Sequence, residues 1–338
     1  MTQHKAISGT PITGAIVTGG AGFIGSHLCE SLLRKGLPVV LVDNFCTGLR
    51  DNAETLKQHA KAKSNLHVVE ADVIEPWSWV DKISPGIRSK ISHVFHFASP
   101  ASPPLYQDMA FATLWVNTTG LNHALEFADT IKARVVFAST SEIYGDPEIS
   151  PQPESFWGNV NSFGVRSCYD EAKRFGEALI FTHNWKKKTQ HGLVRIFNTY
   201  GPRMNPHDGR VVVNFLMQAL RSEPLTVFGD GSQTRSFCYI DDLVDGIWRY
   251  AESELTTPVN LGNDREFSIL ELVETVKKML PEKKLKVEFQ DLPKDDPKQR
   301  RPDLQLAKKE LAPWQPSIQL ADGLKLMYAW LEQQHESI

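Results

Sequence analysis

The sequence predicts an α/β protein, a doubly wound parallel sheet with a smaller α/β lobe beside it. Three observations carry that reading. Short β-branched runs alternate with helix-period stretches up to about Gly201, each run is apolar at nearly every position, and beyond Gly201 the alternation breaks. With 338 residues, 41% of them hydrophobic, the chain is long enough for two lobes, because single cores stop growing near this size.

Taken in order, the strand runs are "AIVTG" from Ala15, "PVVLVD" from Pro38, "LHVVEAD" from Leu66, "HVFHFAS" from His93, "RVVFAST" from Arg134 and "LVRIFNTYG" from Leu193. Their uniform apolarity fits strands covered on both faces. Between them, "FIGSHLCESLLRKG" from Phe23, "DMAFATLWVNTTGLNHALEFAD" from Asp108 and "YDEAKRFGEALIFTHNW" from Tyr169 place apolar residues at helical spacing. Ser167 with Asp170 resembles a capping box at the start of the last helix, which would turn Ala172, Phe175 and Leu179 to the core. After Gly201, "VVNFLMQALRS" and "LTVFGDGSQ" belong to no strand-helix-strand repeat, whereas "SFCYIDDLVDGIWRYAE" and "PVNLG" resume the earlier rhythm. The expected division is therefore residues 11–204 and 236–262 for the first domain, and 205–235 and 263–338 for the second.

Composition excludes several roles. A formal charge of −3, with Lys and Arg interspersed among Asp and Glu, gives no basic field for nucleic acid. The run "WKKKTQ" reads as a solvated helix end that complements the dipole. The first ten residues lack the apolar core of a secretory signal and no long uncharged apolar run follows, so a cytoplasmic protein with no membrane partner is expected. Cys29, Cys46, Cys168 and Cys238 have no zinc-ligand spacing and read as reduced thiols. His93 and His96, three apart on a strand, would face opposite sides, and no metal is expected.

The first strand runs into "VTGGAGFIGSHLCESLL", where Gly19, Gly22 and Gly25 are spaced G-x-x-G-x-x-G. Glycine lets the backbone approach a pyrophosphate closely, and the following helix N-terminus offers free N–H groups to that anion. Asp43 ends the second strand 18 residues beyond Gly25, placed to accept an adenosine ribose and to repel a 2′-phosphate. The cofactor implied is NAD. Asp72, ending the third strand, is within expected reach of the adenine.

Tyr169 is the one tyrosine with a lysine four residues on, Lys173, so the two share a helix face. An ammonium near a phenol favours phenolate, which makes the tyrosine a candidate base. Its partners would come from "FASTSEIYGD", at the end of strand five where open α/β sheets hold ligands: Thr140, Ser141 and Glu142 offer two hydroxyls and a carboxylate.

Together these motifs resemble the extended short-chain dehydrogenase/reductase superfamily, with its Rossmann-type fold. More closely, "DNFCTG", "HFASPASPP", "TSEIYGDP", "RSCYDEAKR", "RIFNTYGPRMNPHDGRVV", "PLTVFGDGSQTRSF" and "DDPKQRRPDL" are similar to UDP-glucuronate decarboxylases, over about residues 16–316. The resemblance implies a nucleotide-sugar substrate and a catalytic set of Thr140, Ser141, Glu142, Tyr169, Lys173 and Arg300. It implies that NAD also meets Phe23, Ile24, Asn44, Val73, Phe97, Ala98, Ser99 and Arg210, and that the substrate meets Tyr106, Asn198, Gln233, Arg235 and Arg300. It further implies a homodimer, formed through the helices of residues 108–128 and 169–185.

Related 4,6-dehydratases carry an Asp where this chain has Ser141, and 4-epimerases need no carboxylate at Glu142, so Glu142 and Arg300 favour decarboxylation. A non-catalytic NAD-binding regulator is disfavoured by the intact Thr140, Tyr169 and Lys173. Two departures bear on the substrate. Ala112 and Trp115 stand where decarboxylases usually have lysines, and "NSFGVR" replaces "NPIGPR"; cations lost beside an acidic sugar would point to a different one.

Overall fold

The computed structural model describes residues 9–59, 61–291 and 299–335. Seven strands pair in parallel throughout: β1 (Ala15–Thr18), β2 (Val39–Asp43), β3 (Leu66–Glu70), β4 (His93–His96), β5 (Arg134–Thr140), β6 (Gly192–Ile196) and β7 (Val259–Leu261). Their order is β7-β6-β5-β4-β1-β2-β3. Side chains of a strand alternate between faces, and the apolar runs sort accordingly. Ala15, Val17, Val39, Leu41, Phe95, Val136 and Val194 enter one core cluster. Their neighbours Ile16, Val40, Val42, Val94, Val135, Phe137 and Leu193 enter another on the opposite face. β3, at the sheet edge, departs most from the expectation of full burial, with all five residues half-buried or exposed, and Ile196 at the end of β6 is half-buried.

The chain leaves β1 for β2 and β3 on one side, then returns to β4 on the other. Thr18 thus lies opposite both Val42 and His96. That reversal opens a crevice at the carboxyl ends of β1 and β4, where such sheets bind ligands.

Four helices follow the strands that build this crevice. The glycine turn feeds α1 (Phe23–Arg34). The stretch expected as one helix from Asp108 is interrupted: α2 (Ala110–Trp115) and α3 (Leu121–Ile131) flank a π-helical turn, Val116–Gly120. Side chains compete for the backbone there, Asn117 donating to the Thr113 carbonyl and Thr118 to that of Leu114, both at 2.8 Å. Helix α4 (Ser167–Lys187) carries the tyrosine and lysine. Its start differs from the expected capping box: Arg166 precedes it, and Ser167 Oγ donates backward to the Gly164 carbonyl at 2.7 Å. Phe175 also departs, being 52% exposed. Ala172, Lys173, Gly176 and Ile180 take the inner face instead. A Cβ at Gly176 would lie 2.6 Å from the Phe137 ring, so the helix sits too close to β5 for a large inner residue there.

Outside the sheet, Thr234–Ser236 pairs antiparallel with Glu266–Ser268 and parallel with Gln299–Arg300. Leu225–Phe228 pairs with Val287–Gln290, and α5 (Val211–Leu220) packs nearby. The core is continuous between these parts, one cluster running from Val17 and Leu28 to Leu216, Val276 and Leu324. Within "DDPKQRRPDL", residues 295–298 lie outside the described residues, whereas Arg300 is fixed by its strand. Among the described residues no helix is long and apolar enough to cross a membrane.

Candidate active site

A cavity of about 910 Å³ opens at the carboxyl ends of the strands and reaches from the glycine turn to Arg300. At one end the turn is shaped by close approach. Gly19 has φ 68° and its missing Cβ would strike the Ala98 backbone at 2.8 Å; a Cβ at Gly25 would lie 2.1 Å from the Gly19 carbonyl oxygen. Gly22 differs: an added Cβ would meet only that same oxygen, at 3.1 Å, and otherwise faces open space. Two glycines therefore build the turn and the third leaves room in front of it, beside the N-terminus of α1. This is the shape that a dinucleotide pyrophosphate needs. Phe23, Ile24, Phe97 and Ser99 line the same end.

Asp43 is buried, and its carboxylate accepts from Ala21 N–H at 2.9 Å and Phe45 N–H at 2.8 Å. Each oxygen keeps a second lone pair for a ribose hydroxyl. Asp72 is engaged locally, accepting from Asn44 Nδ2 at 3.0 Å and from Ile74 N–H at 2.9 Å. Asn44 and Asp72 thus form one hydrogen-bonded pair and, like Asp43, are not among the residues lining the cavity. Val73 is buried, contributes its carbonyl to Trp77 and His123, and does not line the cavity; nor does Ala98.

At the other end, Thr140, Ser141, Glu142, Tyr169, Lys173 and Arg300 all line the cavity. Thr140 Oγ1 caps the short turn Ser141–Tyr144 by accepting from Glu142 N–H at 3.2 Å, and its hydroxyl is near enough to Tyr169 to favour the phenolate. The strand-end cap and the tyrosine partner are one residue. Lys173 is buried, donates from Nζ to the Ala138 carbonyl at 2.6 Å, and stands 5.6 Å from the Tyr169 ring centroid.

The electrostatics correct the expectation drawn from the pair's spacing. Burial raises the Tyr169 phenol above its ordinary value, and the Thr140 hydroxyl and the Arg210 charge oppose this without reversing it. Burial also pushes Lys173 down to about 7, so near neutrality the ammonium is only partly present to hold a phenolate.

Tyr106, expected to touch substrate, does not line the cavity. It is buried, its ring stacked on Tyr169 at 4.9 Å and 5°, which fixes the plane of the tyrosine from behind. Asn198, Gln233, Arg235 and Arg210 do line it. Arg210 forks onto Asp208 at 2.5 and 2.9 Å, Gln233 keeps Oε1 buried without a partner, and Arg235 donates to the Thr234 carbonyl at 2.8 Å.

Sequence comparison decides the family. A family model described as NAD dependent epimerase/dehydratase family matches residues 15–262. The chain belongs to that family. Its cofactor is NAD, which the glycine turn, Asp43 and the cavity fit. UDP-glucuronic acid decarboxylase 6 of Arabidopsis thaliana is 45% identical over 92% of this chain and 87% of its own length. UDP-glucuronic acid decarboxylase 1 of Danio rerio is 42% identical over 95% of this chain and 74% of its own. Among solved structures, UDP-glucuronic acid 4-epimerase from Bacillus cereus, in complex with UDP-glucuronic acid and NAD, superposes with TM-score 0.80 at 28% identity, covering 95% of this chain and 99% of that one. UDP-glucose 4-epimerase from Thermotoga maritima with UDP-glucose gives 0.84 at 27% identity, with the same coverage.

Seen against the family, the two departures fall in different places. Ala112 and Trp115 do not line the cavity, and Trp115 is 51% exposed beside Phe111 on the outside of α2. The missing lysines are therefore not lost from the sugar pocket. Val165 and Arg166 of "NSFGVR" do line it. Arg166 was not singled out by sequence reasoning; a lone arginine ahead of a helix carries no signal without the fold that brings it to Glu142.

His93 and His96 are buried and hydrogen-bonded through both ring nitrogens, to Ser92 and Ala251 and to Thr18 and Val116 respectively. Elsewhere, Asp129, His183 and His191 bring ligand-type atoms within 4.8 Å of one another. His191 Nδ1 accepts the Val135 N–H at 3.0 Å, which puts the neutral ring's proton on Nε2, the atom that would have to bind a cation. The Nε2 atoms of His183 and His191 are both buried without a hydrogen-bond partner, 3.5 and 3.8 Å from the Asp129 carboxylate.

Proposed function

We propose that the protein decarboxylates UDP-glucuronate to UDP-xylose, with NAD regenerated in each turnover. The observation that carries this is the Glu142–Arg300 pair on the wall of the cavity that holds Thr140 and Tyr169. A 4-epimerase of a neutral sugar has no use for a paired carboxylate and guanidinium beside C5, and a relative named as a UDP-glucuronic acid decarboxylase is 45% identical over 92% of this chain.

The glycine turn, Asp43 and Lys173 would hold NAD, which would supply a reversible hydride acceptor and, when oxidised, a positive charge. The positive charge of bound NAD⁺ would favour the Tyr169 phenolate that burial alone opposes, and that phenolate takes the proton from the C4 hydroxyl as the carbon is oxidised, with Thr140 bonding the same oxygen. The 4-ketone is β to the carboxylate, so when the C5–C6 bond breaks its electron pair passes through C5 to the C4 oxygen and carbon dioxide leaves. C5 then takes a proton from a solvent water, leaving hydroxide, the ketone is reduced, and Tyr169 returns its proton to the C4 oxygen. Ser141 and Glu142 stand by C5 and Arg300 faces the carboxylate. Asn198, Gln233, Arg235 and Arg210 hold the nucleotide diphosphate, the last three from residues 205–235, which with 263–338 are the proposed nucleotide-sugar domain.

The working unit is a homodimer joined through α2, α3 and α4. Supporting this, Phe111, Trp115, Phe175, Phe181 and Trp185 are all exposed on α2 and α4, which pack side by side. The test of function is incubation with UDP-glucuronate and NAD⁺ followed by mass spectrometry. Loss of the mass of carbon dioxide supports the reading; an isomer of unchanged mass would assign a 4-epimerase, and no conversion of any nucleotide sugar would leave a regulator.

A further inference from the structure

Glu142 is gripped from two sides. Arg300 forks onto it at 2.5 and 2.9 Å, and Arg166 Nη2 donates to Oε2 from the other direction. Arg166 also reaches Asp170, with Nε 3.8 Å from Oδ2, and its guanidinium lies 5.9 Å from the centroid of the Tyr106 ring that backs Tyr169. All four charged side chains are at most 16% exposed. Asp170 Oδ1 is buried without a partner. Two cations thus face two carboxylates, and one carboxylate is incompletely satisfied.

We propose that Arg166 is the positioning residue that keeps Glu142 charged and in place when a uronate carboxylate engages Arg300, and that Asp170 takes up a proton as that third anion arrives. The inference rests on the proposed substrate class. A guanidinium free to close on the substrate carboxylate would stabilise it before reaction more than in the transition state, where its charge is being lost to neutral carbon dioxide. Keeping Arg300 shared with Glu142 avoids that trap, but only while Glu142 stays ionised, and a buried carboxylate that loses its one cation protonates. Arg166 supplies the second cation.

Asp170 is suited to the compensating role. It faces Arg166, Glu142, Arg300 and Glu171, and it also feels or affects Tyr106, Cys168 and Tyr169. Burial first, then the Glu142 charge, push its carboxyl up to about 7. Added negative charge pushes it further the same way. Below that pH Asp170 already holds its proton and Arg166 belongs to Glu142; above it the proton must be acquired, so substrate capture weakens as pH rises.

Titration calorimetry of Tyr169→Phe with UDP-glucuronate, run at neutral pH in two buffers of different ionisation heat, reads proton uptake without turnover. Uptake of a substantial fraction of a proton, abolished by adding Asp170→Asn, is expected. In the otherwise native enzyme, Asp170→Asn should flatten the fall of kcat/KM above neutrality. Arg166→Gln should lower kcat at least tenfold and divert product toward released 4-keto sugar or the C4 epimer, with Arg166→Lys restoring part of the decarboxylation.

Equal proton uptake with and without Asp170, or an Arg166→Gln enzyme with native rate and product partition, would overturn the proposal. So would an Arg166→Gln protein that melts early and loses NAD, since the arginine would then serve folding. A parent enzyme that releases no carbon dioxide from UDP-glucuronate instead sinks the substrate assignment, and the two failures are told apart by that control.

Discussion

Tyr169 and Lys173 show how far spacing alone carries chemistry. Their i, i+4 separation placed both on one face, and the structure agrees; the direction of the phenol's shift was illegible, because it depends on burial, which spacing does not encode. Tyr169→Phe removes the proposed proton acceptor while leaving the ring stacked on Tyr106, so turnover is expected to fall by about 10²–10⁴ with NAD retained. Fluorescence or absorbance of the retained cofactor, alongside product formation, checks it; a fully active variant excludes the tyrosine as base. Lys173 gives a test in the folding equilibrium. Burial lowers it to about 7 in the folded chain, against about 10.4 unfolded. Between those values the unfolded chain holds more protons, so this group's contribution to stability is lowest below pH 7 and rises toward pH 10. Lys173→Met, NAD-free, should be more stable than the parent at pH 6, by an amount on the order of a few kcal/mol, and lose that advantage as pH rises. Urea denaturation across this range measures it, and parallel curves for the two proteins would sink it.

At the level of elements, the apolar runs were legible because a strand buried on both faces has no polar positions to blur it. The glycine turn was legible because its spacing is fixed by geometry. What stayed hidden depended on neighbours. The Val116–Gly120 interruption arises from Asn117 and Thr118 bonding the preceding turn, and Phe175 turns outward because Gly176 brings Phe137 too close. Arg166 reaches Glu142 only through the loop ahead of α4. The glycine turn offers a paired test. Gly22 has φ −73° and ψ 175°, which any residue adopts, and its Cβ would project into the cofactor's space. Gly22→Ala should therefore melt near the parent temperature yet lose NAD affinity tenfold or more. Gly25→Ala forces a methyl against the Gly19 carbonyl and should lose both, with destabilisation of about 1–3 kcal/mol. Thermal melting with and without NAD separates them; equal NAD affinity in Gly22→Ala and the parent would mean that the pyrophosphate lies elsewhere.

For the whole molecule the open question is what covers α2 and α4. Contiguous apolar patches beyond a few hundred Å² are rare on monomers and mark interaction sites. Here Phe111 is 76% exposed, Phe181 69% and Trp185 57%, joined by Trp115 and Phe175. A second copy meets the need because a two-fold contact sets the same apolar helices against each other. A specific interface of about 1,200–2,000 Å² would then remove them from water. Trp115 is the informative position, since the resembling sequences usually carry lysine there and an indole offers far more apolar surface to a partner. The parent should sediment as a dimer at micromolar concentration. Trp115→Lys should weaken the dimer and Phe181→Glu with Trp185→Glu should dissociate it, both keeping near-native melting, because exposed side chains removed from the core cost little folding stability. A parent that sediments as a monomer, or a double glutamate variant that stays dimeric, would move the interface off these helices.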